Sequence, residues 1–134
     1  MSAGEPALVL LVEDDPDGRL LFADWLRDAG FRVETAHNGL QALERAVELR
    51  PDAILTDLDI PGIDGYELTR RIKNGPWTAS VPVLAVTGYG PFTQDPSRAD
   101  RAGCDAILPK PCDRGDLITT LNELIAAARR QQNA

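Results

Sequence analysis

One histidine, His37, is all that the 134 residues contain. That excludes a multi-histidine metal site and leaves no second imidazole for proton relay; just before a helix start, His37 reads as an exposed residue. Cys104 and Cys112 do not form a Cys-x-x-Cys pair, and two thiols in a core of this size need no bridge. Long apolar runs are missing as well. The N-terminal run from Ala7 to Val12 follows Glu5 and ends in acids, so it fits neither a signal peptide nor a membrane span. There is no G-x-G-x-x-G or Walker-type glycine loop, no internal repeat and no low-complexity tract. Basic residues are outnumbered 14 to 21, and the net charge of −7 repels nucleic-acid backbones and anionic membranes as direct partners. A cation or a basic partner surface suits it better. With 43% hydrophobic and 26% charged residues, the composition is that of one soluble domain, read here as cytoplasmic.

The apolar segment Ala53 to Leu55 has strand character and ends at Thr56 and Asp57, where turn residues begin. Asp57 therefore stands at the C-terminal mouth of a strand. Around this stretch the chain alternates strand and helix patterns. Residues 1–6 read as a loose tail, 7–128 as the domain and 129–134 as a C-terminal tail, frayed from Gln131. A first strand spans Ala7 to Val12, buried on both faces. Asp15 and Pro16 then open a helix with Leu20, Leu21, Trp25 and Leu26 at helical spacing. Phe31 to Ala36 alternates, as an edge strand does. Asn38 caps a second helix whose Leu40, Leu43 and Val47 form one stripe, with Ala42 and Ala46 allowing close packing. Asp64 caps a third helix, Val81 to Val86 forms a strand, and 89–96 is a mobile loop before a short helix at 97–102. Ala106 to Leu108 is the last strand, and Leu117, Ile118, Leu121, Leu124, Ile125 and Ala128 mark the last helix. Parallel strands joined by right-handed helical crossovers give a doubly wound α/β domain, a single five-stranded parallel sheet in the order 2-1-3-4-5 flanked by five helices.

That topology gathers the strand ends. Glu13, Asp14 and Asp15 follow the first strand, Asp57 the third, Thr87 the fourth and Lys110 the fifth. Crowded carboxylates raise one another's pKa unless a cation neutralises them. An all-oxygen donor set suits a hard divalent ion, and Mg²⁺ tolerates a few carboxylates together with a phosphate oxygen. One lysine supplies a point charge for a phosphoryl oxygen, and the threonine hydroxyl is a movable donor. Asp57, taken alone, is also the kind of residue that turns and helix caps use after a strand.

The motifs Val12-Glu13-Asp14-Asp15, Thr56-Asp57 with Pro61-Gly62-Ile63-Asp64-Gly65, Val86-Thr87-Gly88 and Lys110-Pro111 resemble the CheY-like receiver domain of two-component response regulators. The resemblance covers roughly residues 7 to 128. It implies that Asp57 is the phosphoacceptor, taking a phosphoryl group from a phosphohistidine on a sensor histidine kinase or a histidine phosphotransfer protein. It further implies that Asp14 and Asp57 bind Mg²⁺ directly, Glu13 through water and Asp59 through its backbone carbonyl. Lys110 contacts the phosphoryl group, the bond to Pro111 is cis, and Thr87 is the switching hydroxyl. The domain is then a phosphorelay component rather than an enzyme, assisting only its own phosphotransfer and autodephosphorylation, and passing the signal to a downstream target protein. It is either a stand-alone regulator or a receiver from a longer chain.

Two positions depart from the pattern. Ile107 stands where the family places a tyrosine or phenylalanine, and Thr87-Gly88-Tyr89-Gly90 resembles a subgroup of single-domain receivers, which makes Tyr89 the candidate switch aromatic. Two alternatives compete. One is a haloacid-dehalogenase-type Mg²⁺ phosphatase using Asp57 and Asp59, which Leu58, Ile60 and Pro61 do not fit and which lacks a cap domain. The other is an interaction module independent of phosphorylation, against which the full set of charged site residues counts.

Overall fold

The computed structural model describes residues 5–88 and 96–132. Strands β1 (Leu8–Val12), β2 (Arg32–Ala36), β3 (Ala53–Asp57), β4 (Val83–Thr87) and β5 (Ala106–Pro109) alternate with α1 (Pro16–Asp28), α2 (Gly39–Leu49), α3 (Gly65–Asn74), α4 (Pro96–Ala102) and α5 (Arg114–Gln132). The strands form one sheet in the order β2-β1-β3-β4-β5, and every neighbouring pair is parallel. Every residue of β1, β3 and β4 is buried, because helices cover both sheet faces. The edge strand β2 alternates between exposed and half-buried positions up to Ala36.

Successive strand residues point to opposite faces, which splits the core in two. On one side Val9, Leu11, Leu55 and Val86 meet Phe22 and Leu26 of α1 and Leu117 and Leu121 of α5. Leu10, Val12, Ile54 and Val83 meet Ala42 and Ala46 of α2 and Leu68 and Ile72 of α3 on the other. Each fully buried leucine here contributes about 1.5–3 kcal/mol relative to exposure. Register aligns the strand ends: Val12 lies beside Thr56, Asp57 beside Val86 and Thr87 beside Pro109. The C-terminal ends of β1, β3, β4 and β5 therefore share one rim.

Local chemistry starts the helices where the sequence places them. Asp15, Asn38 and Asp64 each accept a hydrogen bond from a backbone N–H of the following turn, from Gly18, Gln41 and Glu67. Helix rotation differs from expectation in two places. In α1 the buried side chains are Phe22, Ala23 and Leu26, while Leu20 and Leu21 are exposed. Gly18 abuts the Glu13 carboxylate, which turns the face carrying residues 18, 22 and 26 inward. In α2 the expected stripe of Leu40, Leu43 and Val47 turns partly outward: Leu40 is 54% and Val47 48% exposed, while Leu43 is half-buried against the core. Ala42 and Ala46 are buried, as close packing requires, together with Gly39. A Cβ on Gly39 would lie 2.3 Å from the Ile63 carbonyl oxygen, so the small-residue face is the one that approaches the neighbouring backbone.

Strand boundaries shift slightly. The fourth strand begins at Val83 and takes in Thr87. Helix α5 continues through Gln131 and Gln132 rather than fraying at 131, with Arg129 paired to Asp52 at 3.6 Å. His37 is exposed before α2, and both cysteines are free thiols. Among the described residues, no helix is long and apolar enough to cross a membrane. The expected mobile loop at 89–96 lies almost wholly outside the described residues, and Tyr89 with it.

Candidate phosphoryl-transfer site

The rim of the sheet is assembled mostly by backbone. Beyond β1, the Glu13 N–H donates to the Ala36 carbonyl at 3.1 Å, which carries the sheet pairing one residue past the strand. The Arg19 guanidinium, one turn into α1, donates to the carbonyls of Glu13 (2.9 Å) and Asp14 (3.4 Å). It holds the acidic loop without touching its carboxylates in these bonds. Asp15 caps α1, as its place beyond the acidic pair implied.

At the end of β3 the Asp57 carboxylate accepts the Asp59 N–H at 3.0 Å, and the Leu58 N–H reaches the Val86 carbonyl at 3.2 Å. The Asp59 side chain is exposed. Gly65 then lets α3 start against this junction: a Cβ there would lie 2.6 Å from both the Asp57 carbonyl oxygen and Leu58 Cα. Any side chain would force α3 or the end of β3 to move.

Lys110 joins the two acidic ends. Its Nζ donates to Glu13 Oε1 at 2.7 Å and to Asp57 Oδ2 at 2.6 Å. Its backbone N–H donates to the Thr87 carbonyl at 2.8 Å, and the Lys110–Pro111 bond is cis. Glu13 is 2% exposed and Asp57 is also buried, whereas Asp14 is open to solvent. Burial pushes the Glu13 carboxyl above its ordinary range, the Lys110 hydrogen bond works against this, and the nearby Asp57 charge adds a smaller upward push. For Lys110, burial pulls the pKa down, but the hydrogen bonds to Asp57 and Glu13 outweigh it and the ammonium is held above its usual value.

Glu13, Asp14 and Asp57 each place a carboxylate oxygen within 4.8 Å of the others, close enough for one cation to bridge all three. Three oxygens without nitrogen or sulfur suit a hard divalent ion such as Mg²⁺. The Thr87 hydroxyl, largely buried, donates to the Gly88 carbonyl at 3.4 Å. Ile107 is half-buried and packs with Leu58, Tyr66 and Ala85. Tyr89 falls outside the described residues. Sequence reasoning missed Arg19, whose signal was its place four residues after the Asp15 cap, and placed Gly65 in the Pro61–Gly65 motif without its packing role, which needs the α3 approach.

A family model described as the response regulator receiver domain matches residues 9–122. The polar-differentiation response regulator DivK of Brucella anthropi is 34% identical over 123 residues, covering 92% of this chain and 99% of that protein. The crystal structure of a putative response regulator from Chloroflexus aurantiacus superposes with a TM-score of 0.84 at 32% identity, over 91% of this chain and 99% of the other. The receiver domain of the sensor histidine kinase PA1611 from Pseudomonas aeruginosa gives 0.83 at 34% identity, again over 91% and 99%, and is described with a magnesium ion coordinated in its active-site cleft.

Proposed function

The chain belongs to the response regulator receiver domain family of two-component signalling, and on that premise we propose that Asp57 is its phosphoacceptor. The observation that carries the reading is the Lys110 ammonium, seated between Asp57 Oδ2 and Glu13 Oε1 with Asp14 alongside. Such a site holds a carboxylate ready to attack and a cation ready to receive the charge of a transferred phosphoryl group.

In the proposed reaction an Asp57 oxygen attacks the phosphorus of a phosphohistidine on a sensor histidine kinase or histidine phosphotransfer protein. A P–O bond forms, the P–N bond breaks, and the imidazole leaves with the electron pair and takes a proton from solvent. The chain's part is mainly positioning and charge neutralisation. The Asp59 N–H on Asp57 Oδ1 aims the carboxylate, and Arg19 fixes the loop bearing Glu13 and Asp14. Lys110 passes from the carboxylate to the phosphoryl oxygens. Glu13, Asp14, Asp57 and the Asp59 carbonyl would hold Mg²⁺, which when bound offsets charge on those oxygens. Thr87 turns toward the phosphoryl group, with Ile107 on the neighbouring strand and Tyr89 in the loop as parts of the readout. The acyl phosphate is later lost by hydrolysis that the domain assists. We place the protein in the cytoplasm, acting through contact with a downstream protein and not with nucleic acid or membrane.

The test is phosphorylation by a small phosphodonor in Mg²⁺. One acid-stable, base-labile phosphate is expected, absent from Asp57→Asn. Mass spectrometry placing that phosphate on Asp59 would overturn the assignment.

A further inference from the structure

The outer face of α2 carries apolar residues that the fold does not fully use. Leu40, Leu43 and Val47 fall at i, i+3 and i+7, so they form one stripe about 10 Å long, and with Glu44 they line a shallow hollow. The helix turns Gly39, Ala42 and Ala46 toward the sheet and leaves its larger aliphatic side chains outside. Leu40 and Val47 are exposed and Leu43 keeps only one side against the core. Single leucines scattered over a surface are ordinary, whereas apolar residues in line along one exposed helix face are what a docking helix engages.

Charge beside the stripe says what would cover it. Glu44 and Glu48 are exposed and one helical turn apart, where like charges repel, and Glu48 stands in the last turn, where the negative end of the helix opposes an acid. Among the described residues neither enters an ion pair, and Arg45, the one basic residue of α2, pairs instead with Glu34 of β2 at 3.3 Å. Cations supplied from outside would relieve both acids. A second copy of this chain would bring its own Glu44 and Glu48 to a twofold contact and be repelled. Anionic membranes and nucleic acids are repelled by the same acids and by the net charge of −7. The complement of an apolar stripe with an acidic flank is a helix with an apolar stripe and a basic flank.

We propose that the outer face of α2 docks an amphipathic basic helix of a partner protein, with apolar side chains on Leu40, Leu43 and Val47 and lysines or arginines on Glu44 and Glu48. A stripe one helix wide and two turns long makes a small contact, of the kind that forms and breaks in transient signalling. It uses none of the carboxylates near Lys110, so it does not depend on the phosphoacceptor assignment. The probe is a synthetic peptide of about 15 residues made of leucine and lysine, with its leucines on one helical face, titrated into the ¹⁵N-labelled full chain. Amide shifts should concentrate at residues 39–49 and be the same in Asp57→Asn. Combining Leu40→Gln with Val47→Gln should weaken binding about tenfold or more, because it removes apolar area from the contact. Glu44→Gln with Glu48→Gln should weaken it by a similar factor and reduce its sensitivity to salt. All four positions are exposed or line the surface, and melting temperatures verify that both variants are folded. No binding at millimolar peptide overturns the proposal. So do shifts centred elsewhere, affinity unchanged in either double variant, or equal binding of a leucine–glutamate helix or of a leucine–lysine peptide with its leucines spread around the helix. Self-association of the chain that sedimentation shows to be lost on combining Leu40→Gln with Val47→Gln would give the stripe to a second copy and overturn it as well.

Discussion

Replacing Lys110 with methionine keeps most of the side-chain volume and removes the cation between Glu13 and Asp57. At 2.7 and 2.6 Å each contact has a gross attraction of about 6 kcal/mol at an effective dielectric near 20. The net value is much smaller, because the ammonium and both carboxylates must be stripped of water to meet. Removing one partner of a buried pair typically costs about 3–5 kcal/mol. Lys110 keeps 29% of its side-chain surface, so water offsets part of the loss. We expect Lys110→Met to destabilise the metal-free domain by about 2–3 kcal/mol at neutral pH, or roughly 6–12 °C in melting temperature for a chain of this length. The sign with pH follows from the raised pKa values of Lys110 and Glu13. The part carried by Lys110 itself is whole below the unfolded lysine value and is lost only as pH climbs through the higher folded one, while in the variant the buried Glu13 carboxyl loses the hydrogen bond that held its pKa down, so the gap between the proteins should narrow as pH falls and that carboxyl takes up a proton. Lys110 also occupies the oxygens a cation would need. With the lysine gone, Mg²⁺ affinity should rise about tenfold, and added MgCl₂ should recover much of the lost stability. Urea unfolding in EDTA and in Mg²⁺ measures both. Equal stability of the two proteins in EDTA, or weaker Mg²⁺ binding by the variant, would refute the reasoning.

Three further substitutions probe the packing. Gly65→Ala places a methyl 2.6 Å from the Asp57 carbonyl oxygen and should cost about 1–3 kcal/mol and slow phosphodonor labelling, read by urea unfolding and phosphorylation kinetics. A loss under roughly 0.5 kcal/mol with labelling intact would mean the junction relaxes freely. On α2, Leu40→Gln should change stability by no more than about 0.5 kcal/mol, while Ala46→Leu should cost about 1–3 kcal/mol. The reverse ranking in denaturant would show the helix rotated as its leucine stripe suggests.

What residues 1–134 determined by themselves is whatever rests on local chemistry or on continuous patterns. The unbroken apolar runs of β1, β3 and β4 announce strands covered on both faces, and parallel strands need the intervening helices. Asp15, Asn38 and Asp64 reveal their helix starts because a cap acts within one turn. The acids, threonine and lysine that follow the strands were readable as one site, since a parallel sheet brings its C-terminal strand ends to a common rim. Tertiary structure alone decided which face of each helix is buried. The apolar arcs of α1 and α2 are wider than the contact they make, so Gly18 against Glu13 and Gly39 against Ile63 choose the inward face, and leucines lose to glycine and alanine where backbones approach closely. Lys110 meets Glu13 and Asp57 across separations of 97 and 53 residues, and no local pattern encodes the distances that result.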